Sequence, residues 1–347
     1  SALQRAAGGV RERFAAAATA ALPGDAGALL PALVVGDTSH VSQHVRDDFR
    51  ASGLTHLLAV SGANVAILVG AVLLLTRAAA LGPTGSAAVA AVALVLFVVL
   101  ARPSPSVLRA AAMGSIGLLA MVTNRRKQAL PALAAAMLVL LAVRPALAVD
   151  AGFVLSVLAT AGLIALAPTW ADRLRASGWP RAPAEVVAVS AAAFVVTAPV
   201  IAAINGTVSV ISIVANILVS FVVAPITVLG AGAAVLASVS APAAEFVAGL
   251  CRPLLWWLLW VADEAGAFPY ASVPVWSGAG GAAVVSGGLV AIVGSWWMLV
   301  RRTDRRQAVA RSGSDRNSAT SPGPRRRGTA RRAGGRERDR RGADRGG

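Results

Sequence analysis

The chain has 347 residues, 56% of them hydrophobic, with a mean hydropathy of +0.70 and a formal net charge of +16. Soluble domains are about 45–50% apolar, and several windows here run about 20 residues without a charge, the length a helix needs to cross a hydrocarbon core. The alternating pattern of a transmembrane barrel is absent, so the composition points to an all-α, polytopic transmembrane bundle.

The positive charge is uneven. Residues 301–347 hold 16 of the arginines against five acidic residues. This tail is also rich in Gly, Ser and Pro with few large apolar residues, and it is expected to be a disordered, Arg-rich cytoplasmic tail that sets topology. A basic tail of this kind also suits anionic lipid or nucleic acid. Cys251 is the single cysteine, and His40, His44 and His56 are the three histidines. An internal disulfide and a Cys metal cluster are therefore excluded. His40 and His44 share a helical face but have no partner cluster nearby, so no metal and no cofactor are expected. The chain opens on Ser1, which reads as a piece of a longer protein, and no signal peptide pattern stands at its N-terminus.

Residues 1–52 read as an extracytoplasmic or interfacial amphipathic lead-in. "RAAGGVRERFAAAATAAL" (5–22) suits a surface helix, "GALLPALVVGD" is too short and broken to span, and "SHVSQHVRDDFRAS" (39–52) suits an interfacial helix. The transmembrane domain is expected over 53–300, in about nine spans: 53–76, 82–101, 104–122, 129–149, 151–170, 184–204, 207–240, 244–262 and 279–300. The stretch 207–240 is too long for one straight crossing, and a break near Pro225 makes it one crossing plus a re-entrant or interfacial piece. With the tail cytoplasmic, "NRRK" (124–127) and the loop of Arg173, Arg175 and Arg181 fall on the tail's side, as the positive-inside rule asks. The N-terminus then lies outside.

Four polar clusters interrupt the apolar sequence. Intramembrane polar groups are costly and face a bundle interior or a wet cavity. The first is "GLTHLLAVSGANVAIL" (53–68), with His56, Ser61, Gly62 and Asn64. On one continuous helix His56, Ser61 and Asn64 share a broad face, while Gly62 permits unwinding there. A cavity lining and interhelical glue both account for them. The second is "ARPSPSVLRAAAM" (101–113), where Ser106 and Arg109 share a face at i, i+3. Arg109 either snorkels to the interface or presents a cation to an anionic path. The third is "DAGFVLSVLATAGLIALAP" (150–168), with Asp150 placed as an N-cap and Ser156 and Thr160 at i, i+4. The fourth is "INGTVSVISIVANILVSFVVAPI" (204–226), with a turn at Asn205–Gly206, a buried Asn216 and Pro225, matching a broken helix beside a cavity. The Trp256, Trp257, Trp260 cluster and the Trp296, Trp297 pair read as interfacial belts.

Catalytic chemistry is not expected. A serine hydrolase at Ser61 needs a base within hydrogen-bond reach. His56 lies about 140° around the same helix, and no later histidine exists. Neither a P-loop nor a dinucleotide fingerprint is present.

"DDFRASGLTHLLAVSGANVAIL", "PSPSVLRAAAM", "DAGFVLSVLATAGLIALAP" and "VSVISIVANILVSFVVAPI" follow one another at separations that resemble the membrane competence domain of the ComEC family of DNA-uptake proteins, from about Leu29 to Val300. The resemblance implies an inner-membrane, multi-pass channel that admits single-stranded DNA during natural transformation. Its partners would be the DNA strand, membrane lipid, a cytoplasmic helicase or translocase and an external DNA receptor, with self-association left open. Many relatives carry a histidine where this chain has Asn64. His56, Ser61, Asn64, Ser106, Arg109 and Asn216 are the groups expected to line the path, with Gly62, Asp150 and Pro225 in structural roles. The alternative is a secondary transporter for a small anionic solute, which would also use broken helices and midplane polar groups.

Overall fold

The computed structural model describes residues 2–101, 104–123 and 128–295. The Arg-rich tail, "NRRK", Arg102, Pro103 and the Trp296, Trp297 pair lie outside them.

Three helices open the chain: α1 (Ala2–Ala21), α2 (Asp25–Val35) and α3 (Gln43–Ala51). Gly36, in the left-handed region, ends α2 by returning its N–H to Ala32, and the Ser42 hydroxyl accepts from Val45 N–H to start α3. These helices are not a peripheral lead-in. Phe14, Leu29, Leu30 and Phe49 are fully buried in the largest hydrophobic core together with residues near the C-terminal end of the described chain, such as Leu255 and Leu258. One compact unit runs Ser1–Leu289.

The central helices are α4 (Gly62–Ala78), α5 (Pro83–Leu100), α6 (Pro105–Val122), α7 (Ala129–Val143), α8 (Ala151–Ala165), α9 (Ala167–Ala176) and α10 (Arg181–Asn205). Prolines at the first turns of α5, α6 and α9 need no N–H there. A second hydrophobic cluster, with Ala90, Leu94, Phe97 and Val107, ties α4, α5 and α6 together. Small residues bring α8 and α10 close: a Cβ on Gly162 would stand 2.7 Å from Val196. Such close approach is how helices associate where lipid removes the hydrophobic drive.

A short antiparallel ladder follows, β1 (Thr207–Ser209) pairing with β2 (Ser272–Pro274) in the register Val208↔Val273. The bundle is all-α as expected, and these two three-residue strands form a single small ladder among the described residues. Between them run α11 (Ser212–Leu236), α12 (Ala241–Gly249) and α13 (Arg252–Ala267). α11 is continuous through Pro225, where a break was expected. A helix in apolar surroundings has no water to take its freed backbone groups, so it keeps its remaining ladder. The bend lies elsewhere, 49° between α12 and α13.

Among the described residues, five helical segments are long and apolar enough to cross a membrane, and a sixth if the bent α12–α13 pair is one span. The helices within the expected spans 53–76, 129–149 and 279–300 are shorter apolar ones, Gly62–Ala78, Ala129–Val143 and Ala279–Ser295. Large apolar side chains such as Leu74, Leu75, Val95 and Leu138 point outward, as lipid contact requires.

Candidate functional site

Two chain turns meet at one end of the bundle. In the first, the chain leaves α3, makes a 3-10 turn at Thr55–Leu57, and starts α4 only at Gly62. The span expected over 53–76 is thus broken just before Gly62, the residue that permits unwinding, and His56 does not share a helix with Ser61 and Asn64. Ser61 is the N-cap of α4: its hydroxyl accepts from Asn64 N–H at 3.3 Å and donates to Asn64 Oδ1 at 3.2 Å. Asn64 is buried and donates through Nδ2 to the carbonyl of Leu33 at 2.9 Å. One asparagine thereby ties α4 to α2, with both ends of its amide used.

The second turn leads into α6. Ser104 is its N-cap, accepting from Val107 N–H. Ser106 donates to the carbonyl of Val60 at 2.9 Å and lies 3.1 Å from the Ser104 hydroxyl. The positive ends of the α4 and α6 dipoles are therefore held side by side.

Arg109 stands one turn into α6 and is only 6% exposed, so it does not snorkel. Its Nε donates to Ser156 Oγ at 2.8 Å and its Nη1 to Thr160 Oγ1 at 2.6 Å, both on α8. The Met113 sulfur lies 3.5 Å from Nη1. Its Nη2 passes over Gly62, where a Cβ would come within 2.5 Å. Among the described residues, this guanidinium bonds neutral hydroxyls and a thioether. A buried cation served by neutral groups leaves positive potential for an anion to answer.

Ser61, Gly62, Asn64, Ser106 and Arg109 are thus brought together. His56 is exposed on the turn beside them. Asn216 is apart: its Nδ2 returns to the Ser212 carbonyl of its own helix at 2.8 Å. Asp150 caps α8 by accepting from Phe153 N–H at 2.7 Å. Pro225 lies within α11, next to the buried Ile226 and Thr227.

Beside the two turns opens a cavity of about 440 Å³. Val60 and Ser104, Thr38 and Thr55, and Arg46 and Arg50 of α3 are among the residues that line it. Arg46 is half-buried and donates to the carbonyls of Val41 and Thr38, which fixes the loop after α2 as a wall. This cavity was not read from the sequence, because its walls come from four separate segments. Ser156 and Thr160 did leave a signal, two hydroxyls on one face of an apolar helix, but only folding shows that Arg109 is what they face.

The site belongs to a polytopic helical membrane protein whose buried polar groups gather where two helix N-termini meet a cation. Residues 33–300 match the family described as Competence protein, and the chain belongs to that family. It is similar to ComE operon protein 3 of Bacillus subtilis (strain 168), 32% identical over 143 residues, which make up 41% of this chain and 18% of that protein. No solved structure matches.

Proposed function

We propose that the chain forms the membrane conduit through which single-stranded DNA is taken up in natural transformation, with the α4–α6–α8 polar centre on the path. The observation that carries this reading is the buried Arg109, bonded to Ser156 and Thr160 and set beside the N-termini of α4 and α6. Phosphates crossing a membrane need fixed cations, donors and positive dipole ends along their route, and broken helices whose N-termini point at an anionic group are a recurring transport device. Membership of the competence family and the likeness to a ComE operon protein support DNA rather than a small anion as the cargo.

The protein sits in the inner membrane with the cavity end outside. Arg77, Arg173, Arg175 and Arg181 support this, since they lie at or after the C-terminal ends of α4 and α8, away from the N-termini of α4 and α6 at the polar centre. Ser61 serves as a cap and not as a nucleophile, and the reading requires no catalytic step. The pulling force comes from a cytoplasmic helicase or translocase, and an external receptor delivers the strand.

The test is Arg109→Ala in cells, with membrane insertion checked. Transformation should fall roughly tenfold or more, the equivalent of one lost charge-assisted contact. Uptake unchanged by Arg109→Ala, and still unchanged when His56 and Asn64 are also replaced by Ala, would sink the reading.

A further inference from the structure

Resting on the conduit reading, we infer that the cavity between α3 and the α4 and α6 N-termini is a docking site for the sugar-phosphate of the incoming strand, ahead of Arg109. Arg46 and Arg50 are one turn apart on α3, and they supply the charged groups of the cavity wall. The carboxylates nearest in sequence have contacts of their own: Asp37 accepts from Ser39, and Asp47 accepts from Gln43 at 2.9 Å and, at a long 3.4 Å, from Arg50 of the wall itself. Among the described residues, exposed Arg50 is tied by that stretched surface contact, which is weak enough to let it turn toward a phosphate. The Thr38 hydroxyl lines the same space, while the Thr55 and Ser104 hydroxyls give their protons to the Phe49 carbonyl and to Ser106 and offer only lone pairs.

Size and position give the ligand class. At about 440 Å³ the cavity falls in the range of roughly 300–1,000 Å³ typical of small-ligand sites, enough for one nucleotide unit and too small for a duplex. Two helix N-termini add positive potential without any side-chain charge. The Val60 carbonyl, part of the wall, accepts from Ser106, which is i, i−3 to Arg109. The cavity and the buried cation are thus successive stations on one turn of chain. A lipid headgroup carries the same phosphate chemistry, but the hydroxyl-lined wall and its continuity with the buried Arg109 network favour the strand.

The experiment uses the full chain in zwitterionic nanodiscs and the binding of a short fluorescein-labelled oligo(dT), read by anisotropy across a salt series. Arg50→Gln removes one cation from an exposed position. Ala59→Trp fills the cavity from another exposed wall position and leaves every charge in place. Arg50→Gln should weaken binding and reduce the log–log salt slope by about 0.7, the value for one phosphate contact on a single strand. Ala59→Trp should weaken binding about tenfold at one salt concentration through exclusion alone, and Arg50→Lys should restore most of the affinity. Binding indifferent to both variants overturns the docking site. Loss of a fluorescent phosphatidylglycerol from the variants, with oligonucleotide binding intact, makes the cavity a headgroup site and also overturns it. In either case, uptake still lost on Arg109→Ala leaves the conduit reading standing. Cavity variants that weaken binding while uptake survives Arg109→Ala combined with His56→Ala and Asn64→Ala overturn the conduit reading alone.

Discussion

Gly62 and Arg109 share one space: a Cβ on Gly62 would stand 2.5 Å from Arg109 Nη2. The guanidinium is held from the far side by Ser156 and Thr160, so it cannot swing away without losing those bonds. Gly62→Ala is therefore expected to disturb the guanidinium and its buried bonds. Alanine suits the first turn of α4 at least as well as glycine does, but pushing Arg109 off Ser156 and Thr160 outweighs this, so the melting temperature in detergent should fall. Transformation should fall toward the Arg109→Ala level, and the double variant should be no worse than Arg109→Ala alone. Additive losses would show that Gly62 and Arg109 act separately.

The hydroxyls that serve Arg109 should matter more alone than together with it. Ser156→Ala or Thr160→Ala strips a partner from a buried charge, at a cost of about 1–3 kcal/mol. Replacing the whole set, Arg109→Met with Ser156→Ala and Thr160→Ala, removes the charge that needed them and should recover much of that stability. Chemical denaturation of the micelle-bound protein checks both. A triple variant as unstable as the hydroxyl double variant would mean the hydroxyls hold α8 for some other reason.

The contact between α2 and α11 depends on a missing side chain. A Cβ on Gly230 would lie 2.4 Å from Val34 Cγ2 and 3.1 Å from Leu30 Cδ1, and both neighbours are fully buried. Gly230→Val should cost about 1–3 kcal/mol through overpacking. Val34→Ala in the same chain should return part of it, since the space is shared. Thermal melts of the single and paired variants decide this, and no rescue would place the strain elsewhere.

Asp48, on α3 outside the spans, carries a carboxyl whose pKa is raised. Burial is the main cause. The carboxylates of Asp263, Asp47 and Asp25 add to it, and His44, 3.5 Å away, opposes it. A raised carboxyl binds its proton more tightly when folded. It is neutral in both states at low pH, and it destabilises as pH rises from the unfolded value through the folded one. Asp48→Asn should therefore raise the melting temperature at neutral pH, with a gain that shrinks as pH falls into the carboxylate range. A variant that melts lower at neutral pH would instead give the His44 pairing the larger role.

The helical bundle, the N-caps at Ser104 and Asp150, and the turn at Gly206 rest on short-range physics: runs of apolar residues, a capping hydroxyl or carboxylate, a glycine able to take positive φ. Local sequence carries such signals, and the order of the four polar motifs carried the family. Pro225 shows where local rules mislead. Proline breaks helices in water, yet α11 runs through it because its apolar surroundings offer the backbone nothing better. The break fell instead before Gly62, where Ser61 caps a new helix.

The sequence alone determined that polar groups costly in a membrane would stand at Ser61, Asn64, Ser106 and Arg109, because composition and hydropathy are properties of the chain. Only the tertiary structure decided what each one meets. Asn64 reaches across 31 positions to Leu33, Arg109 across 47 to Ser156, and the cavity draws its walls from four segments. Contacts at such separations depend on how helices pack, and packing depends on small residues such as Gly62, Gly162 and Gly230, which leave no periodic trace.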